Sequence, residues 1–398
     1  MQWLLPEYFA DILPPEAKRL ESLRRKVLDL FASYGFELVM PPLIEYLDSL
    51  LTGSARDLDL KTFKLVDQLS GKMMGLRADI TPQIVRIDSQ LLNDDGITRL
   101  CYCGVVAHTR PSNLKSGREL QQIGAEIYGA PNRDADGAII QLAAKALNLV
   151  GLQIARIDLN HVGIFNALCH KAQLNPELKN QLMHFLRLKD APALFEATQN
   201  CPQKEAFRAL VNLYGESQDV LNRARLIFQP LALPELNQAL DDLEWIVQTY
   251  AHLPFSIDLA DLVGYHYHTG LSFSAYSDKA PNALAHGGRY DGAGAPFGRV
   301  RAATGFSMDL RQLVCALPQN DQQEELPIWV CSNSADNAQK TLPQALDFWR
   351  NQKNRMVIET LENETIPSNA DCLIWQNGNW ILQKANQQLN QKSNGEGF

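Results

Sequence analysis

The chain has 398 residues, 45% of them hydrophobic and 21% charged, with a formal net charge of -8. This composition suits one large soluble domain plus a small second one, and the acidic balance argues against a dominant nucleic-acid surface. Seven scattered cysteines form no C-x-x-C pair, no apolar run reaches the roughly 18 residues of a membrane span, and Met1-Gln2-Trp3-Leu4-Leu5 lacks the basic start of a leader, so the expectation is a reduced, cytoplasmic protein that contacts no membrane.

Pro14-Pro15 precede a predicted helix in which Leu20, Leu23, Val27, Leu30, Phe31 and Tyr34 share one face and Gly35 marks the end. Residues 36–40 read as a strand stopped by Pro41-Pro42, and Leu43-Ile44-Glu45 continues extended. This unit suits either a dimer interface or an ordinary core strand with an edge proline. Strands are predicted at 63–67, 74–77, 100–106 and 122–128, with a helix at 82–92. Their loops are too short for repeated crossovers, so the pairing should be antiparallel. Cys101 and Cys103 share a face of one of these strands without a metal.

A helix at 135–150, closed by Gly151, and a strand at 154–160 follow. Helical periodicity then dominates about 165–251, most clearly at 235–250 behind Pro234, as an insertion between two halves of a sheet domain. Strands resume at 255–259, 267–276 and 302–307, and a helix is predicted at 308–313. The organisation read this way is an α+β domain over 1–317, a linker at 318–327, a small α/β domain at 328–383 and a disordered tail at 384–398. In the small domain the expected elements are strands at 328–331, 356–358 and 372–375 and a helix at 341–352.

Four segments carry candidate chemistry. In Arg77-Ala78-Asp79-Ile80-Thr81-Pro82-Gln83, Thr81 and Pro82 suit a capped helix start. Alternatively, Asp79 and Thr81 face a cleft, where a carboxylate beside a hydroxyl suits a primary ammonium group. In Gln122-Ile123-Gly124-Ala125-Glu126, strand alternation puts Gln122, Gly124 and Glu126 on one face. That face is either solvated or binds something polar, because an unpaired glutamate in an apolar core is costly.

The third segment is Gly264-Tyr265-His266-Tyr267-His268-Thr269-Gly270. As a strand it would send Tyr265 and Tyr267 to one side and His266 and His268 to the other. The histidines have no evident third metal ligand, and aromatic core packing competes with a binding role. Gly287-Gly288-Arg289-Tyr290-Asp291-Gly292 reads as a tight turn with Arg289 and Asp291 able to pair.

In this order and spacing the segments resemble the class II aminoacyl-tRNA synthetase catalytic domain, in its histidyl-tRNA synthetase branch. The resemblance runs over about residues 5–315. It is carried by Pro41-Pro42-Leu43-Ile44-Glu45, Leu76 to Thr81, Gln122 to Glu126, Tyr267-His268-Thr269-Gly270, Gly287 to Asp291 and Gly305-Phe306. It implies an antiparallel sheet flanked by helices, working as a homodimer. Certain residues depart from the family. Val263 stands where the family carries an arginine before the first glycine. Arg311 and Gln312 replace the glutamate and the ATP-serving arginine of motif 3. His108 or Thr109 falls at the α-phosphate clamp of motif 2, with Arg110 the nearest substitute.

This mixture of kept and lost residues resembles the regulatory subunits of ATP phosphoribosyltransferase, synthetase paralogues without aminoacylating activity. That resemblance implies no catalytic residue, metal or cofactor, and L-histidine as an allosteric ligand. It implies the short-form catalytic subunit HisG as partner, in a hetero-octamer that contains a homodimer of this chain, with no nucleic acid. By carry-over, Asp79, Thr81 and Gln122 hold the ammonium end of histidine, Glu126 accepts from the imidazole, and Tyr267 or His268 closes the other side. The competing reading is an active histidyl-tRNA synthetase.

Overall fold

The computed structural model describes residues 4–52, 56–92, 94–111, 117–262, 264, 267–318, 327–330, 336–361 and 364–385. It divides into two compact units, 1–317 and 318–398. The expected linker and tail fall almost wholly outside the described residues.

The strands in chain order are β1 (Glu37–Leu38), β2 (Ile44–Tyr46), β3 (Phe63–Val66), β4 (Met73–Leu76), β5 (Thr98–Ala107), β6 (Glu119–Tyr128), β7 (Arg156–His161) and β8 (Tyr214–Glu216). They continue with β9 (Phe255–Asp258), β10 (Leu271–Tyr276), β11 (Ala285–Arg289), β12 (Ala303–Asp309), β13 (Ile328–Val330), β14 (Val357–Glu359), β15 (Asp371–Gln376) and β16 (Asn379–Gln383). The first unit is built on a nine-stranded sheet in the order β1-β5-β6-β12-β11-β10-β7-β9-β8. All pairs are antiparallel except β1–β5 and β7–β9. A second sheet, β2-β4-β3, stands apart from it.

The helix Pro14–Ser33 begins with proline in its first turn, where a missing N–H costs nothing, and buries Leu23, Val27 and Phe31. Phe31 meets Phe306 of β12 edge-on at 5.7 Å, which fixes the helix on the sheet. The helix Arg133–Leu149 covers the same side with Ile139, Ile140, Ala143 and Leu147. Cys101 and Cys103 both pack against this core, in line with their alternation. Among the described residues no cluster could hold a metal ion, and no helix is long and apolar enough to cross a membrane.

Several expectations are corrected. The strand at 36–40 shrinks to β1, because Pro41-Pro42 supply no N–H to extend the ladder. The helix at 82–92 is α-helical only over Thr81–Arg86 and continues as a π-helix, Ile87–Leu92. The insertion contributes an edge strand, β8, too short to show any periodicity. Gly287-Gly288 is not a turn but lies inside β11, and the strand expected at 267–276 begins only at Leu271. Met308 belongs to β12, and the helix that follows is Leu310–Ala316.

In the second unit β13, β14 and β15 are parallel, and β16, not foreseen, closes the edge antiparallel to β15. The helix Asp336–Asp347 holds Pro343 and places Leu346 against Ile328, Val330, Val357 and Leu373.

Within the insertion, Asn175 Oδ1 caps the helix Pro176–Arg187 by accepting from Leu178 N at 2.8 Å. Asn175→Ala is expected to cost about 1 kcal/mol, read as a small fall in thermal midpoint without loss of cooperativity.

Candidate functional site

Strand β6 lies beside β5 and β12, and its period of two turns Gln122, Gly124 and Glu126 toward one face. Glu126 is 1% exposed. Its Oε1 accepts from the Tyr102 hydroxyl at 3.1 Å and lies 3.4 Å from Thr81 Oγ1, and its Oε2 accepts from the Tyr290 hydroxyl at 2.6 Å. The hydroxyls of Tyr290 and Tyr128 are 3.1 Å apart. Gly305, the register partner of Glu126, leaves the space the carboxyl needs: a Cβ there would sit on Oε2 itself. The space above Gly124 is taken by the Tyr102 hydroxyl.

Burial pushes the Glu126 carboxyl up to about 8, against the downward pull of the Tyr290 and Tyr102 hydroxyls. The surrounding tyrosines are pushed well above their ordinary range by burial and by Glu126, and so keep their protons. The result is a carboxyl near its own titration point at neutral pH, able to donate or to accept one hydrogen bond to a ring nitrogen.

Asp79 lies next to this cluster. Its Oδ1 accepts from Gln122 Nε2 at 2.8 Å and from Thr81 N at 3.1 Å, while Gln122 Oε1 accepts from Ile80 N at 2.9 Å. The helix start is therefore held by Asp79, not by Thr81 as one reading of the sequence had it. The Thr81 hydroxyl turns inward instead, 3.1 Å from the Tyr102 hydroxyl. Asp79, Thr81, Gln122 and Glu126, from two segments about 40 residues apart, thus form one hydrogen-bonded chain.

Tyr267 and His268 lie in a turn, not on alternate faces of a strand. Both backbone N–H groups donate to Gly264 O, at 2.8 and 2.9 Å. Tyr267 stacks on Tyr290 with ring centroids 4.7 Å apart, which places it beside Glu126. His268 meets Tyr267 edge-on at 5.6 Å and faces a small cleft that Ser272, Ser274 and His286 also line. Burial lowers the His268 pKa to about 4, so its ring is neutral at pH 7. Val263, Tyr265 and His266 lie outside the described residues.

Of the positions expected to depart from the synthetase pattern, Arg311, Gln312, His108 and Thr109 are engaged by the chain itself. Arg311 donates to Glu119 O and to Ala10 O, both at 2.9 Å. The Gln312 amide donates to Ala283 O at 3.2 Å. His108 is buried with Nε2 2.9 Å from Ala78 O, and burial lowers its pKa. Thr109 donates to Leu60 O at 2.6 Å, and Arg110 is exposed.

Sequence reasoning missed the two tyrosine hydroxyls bonded to Glu126, from Tyr102 and Tyr290. A signal for one was available: a buried glutamate requires donors, and Tyr102 sits on the neighbouring strand directly opposite Gly124.

A family model for histidyl-tRNA synthetase matches residues 8–313. The ATP phosphoribosyltransferase regulatory subunit of Ralstonia nicotianae is 54% identical over 318 residues, 79% of this chain and 82% of the relative. That of Paraburkholderia phytofirmans is 47% identical over 391 residues, 96% of this chain and 98% of the relative. Among solved structures, an ATP phosphoribosyltransferase regulatory subunit/histidyl-tRNA synthetase from Bacillus halodurans has a TM-score of 0.78 at 27% identity, covering 92% of this chain and 95% of its own. Histidyl-tRNA synthetase from Nostoc has a TM-score of 0.78 at 18% identity, covering 99% of this chain and 100% of its own, and shares the fold.

Proposed function

Because the chain belongs to the ATP phosphoribosyltransferase regulatory subunit family, on a histidyl-tRNA synthetase-like class II fold, we propose that it is a non-catalytic regulatory subunit. It activates a short-form catalytic subunit of that enzyme in the cytoplasm and conveys feedback inhibition by histidine at the first step of histidine biosynthesis. The observation that carries the sensor role is the buried Glu126–tyrosine cluster joined through Thr81 to Asp79 and Gln122. It offers a ring-nitrogen partner at one end and an ammonium partner at the other. In this reading the imidazole of histidine meets Glu126 under the Tyr267–Tyr290 stack, and its ammonium group meets Asp79.

Loss of aminoacyl activation is supported by Arg311, whose guanidinium is spent on Glu119 O and Ala10 O, and by the neutral Gln312 where the family carries the arginine that serves ATP. The role requires no metal or cofactor. The chain is taken to form a homodimer within a hetero-octamer; Met40, Leu43, Ile44 and Tyr46, exposed apolar residues flanking Pro41-Pro42, support the self-association.

The test is co-purification with a short-form catalytic subunit and turnover with and without histidine. The expected result is a stable complex whose turnover exceeds that of the catalytic subunit alone and falls when histidine is added. The isolated chain is expected to show no histidine-dependent pyrophosphate–ATP exchange. Exchange by the isolated chain would establish a working synthetase and overturn the proposal.

A further inference from the structure

The loop that carries Asp79 and Thr81 is held from behind by Arg77. This residue is 6% exposed, and among the described residues its guanidinium bonds to no carboxylate. Nε donates to Val105 O at 2.8 Å, and Nη1 donates to Pro41 O at 2.8 Å and to Gln83 Oε1 at 3.4 Å. Gln83 Nε2 in turn donates to Pro42 O at 2.8 Å. The main chain of Arg77 makes the same bridge, with N donating to Leu43 O at 3.0 Å and O accepting from Ala107 N at 3.1 Å. Space for the guanidinium is reserved by Gly104 on β5, where any Cβ would collide with Nη2.

A buried cation hydrogen-bonded only to neutral carbonyls, with Glu45 near enough to favour its charge but not bonded to it, is a costly way to fill space, and an apolar side chain would serve packing better. The guanidinium differs in being a rigid planar fork with fixed donor directions. Here it ties the first residue of the 77–81 loop to two separate segments, 41–43 and 105–107. Two residues further on, Asp79 meets Gln122, and after it Thr81 meets Tyr102.

We propose that Arg77 is the positioning residue of the ammonium-recognising half of the site, setting the loop so that Asp79 and Thr81 meet the ligand's amino group. The inference rests on the histidine reading above. A merely structural role would weaken every ligand alike, whereas this one is selective. L-Histidine carries the ammonium group, and 4-methylimidazole keeps the ring but lacks it.

The experiment compares full-length parent, Arg77→Lys and Gln83→Met, with L-histidine titrated by calorimetry and 4-methylimidazole by ligand-observed NMR. Lysine keeps the charge and loses the fork. Gln83→Met leaves the arginine and removes its amide brace, so it gives the same reading if the lysine variant does not fold. Both variants are expected to lose at least about tenfold in affinity for L-histidine and to hold 4-methylimidazole within about twofold of the parent. Equal losses for the two ligands, or unchanged histidine affinity in both variants, overturn the inference while leaving the histidine reading intact. A parent protein that binds neither ligand overturns that reading and this inference with it.

Discussion

Glu126→Ala is expected to raise the histidine concentration needed for half-inhibition of the complex by at least about tenfold, because it removes a hydrogen bond to a group that can carry charge and leaves three hydroxyls facing a void. Assembly with the catalytic subunit is expected to survive, since Glu126 is enclosed by its own chain. Coupling between a sensor and a partner's active site is typically about 1–3 kcal/mol, so the inhibition available to lose spans roughly 5- to 150-fold. Inhibition curves for the two complexes, measured side by side, decide the matter, and superimposable curves would remove Glu126 from the sensor.

The same carboxyl has a signature in stability. Its pKa rises from 4.5 to about 8 on folding, so between those values the folded chain holds a proton that the unfolded chain has released. The contribution of this group is complete below pH 4.5 and declines as pH rises to about 8, by about 1.4 kcal/mol per unit. Glu126→Gln keeps the shape and cannot ionise. Denaturant titrations across that range are expected to show a shallower decline for the variant, with its advantage over the parent greatest above about pH 8. Parallel declines in the two proteins would show that Glu126 is not the titrating group.

Breaking the Arg289–Asp136 pair is the second change of large expected effect. Arg289 Nε donates to Asp136 Oδ2 at 3.0 Å, with both side chains at 9% exposure or less. Three further donors go to Ala130 O, Asn132 O and Asp291 Oδ1, each at 3.1 Å. Burial pushes the Asp136 carboxyl up, and the adjacent guanidinium draws it back. Burial opposes the charged guanidinium, and Asp136 and Asp291 favour it.

Asp136→Asn or Arg289→Met alone leaves one buried group unanswered and is expected to cost about 3–5 kcal/mol. The double variant is expected to cost less than the sum, since neither charge is then stranded. Equilibrium unfolding of the three variants reads this directly, and strict additivity would show that the two residues act independently. Tyr290 follows Arg289 in the chain, so the single variants should also loosen the Tyr290–Glu126 bond and weaken histidine binding.

Much of this site was legible in the sequence because strand periodicity is local. Once 122–126 is extended, Gln122 and Glu126 must share a face, whatever lies opposite. The same logic failed at 267–268, where the chain turns at Gly264 before β10 begins, and at Gly287-Gly288, where paired glycines mark close strand packing and not a turn. Thr81 was legible as a residue with a hydroxyl to spend, but not where it would be spent. Asp79 takes the helix N–H and frees Thr81 for the cluster.

The sequence by itself determined the family, the order of the motifs, the core-facing stripe of the first helix and the shared strand face of Gln122 and Glu126. Resemblance carries the family and the order of the motifs; local periodicity and residue chemistry suffice for the rest. Only the tertiary structure decided that Tyr102 and Tyr290 converge on Glu126, that Arg311 holds the chain's own Ala10 carbonyl, and that Arg77 braces the 77–81 loop. Those partners are separated by tens to hundreds of residues. Strand order brings them together, and no local period encodes it.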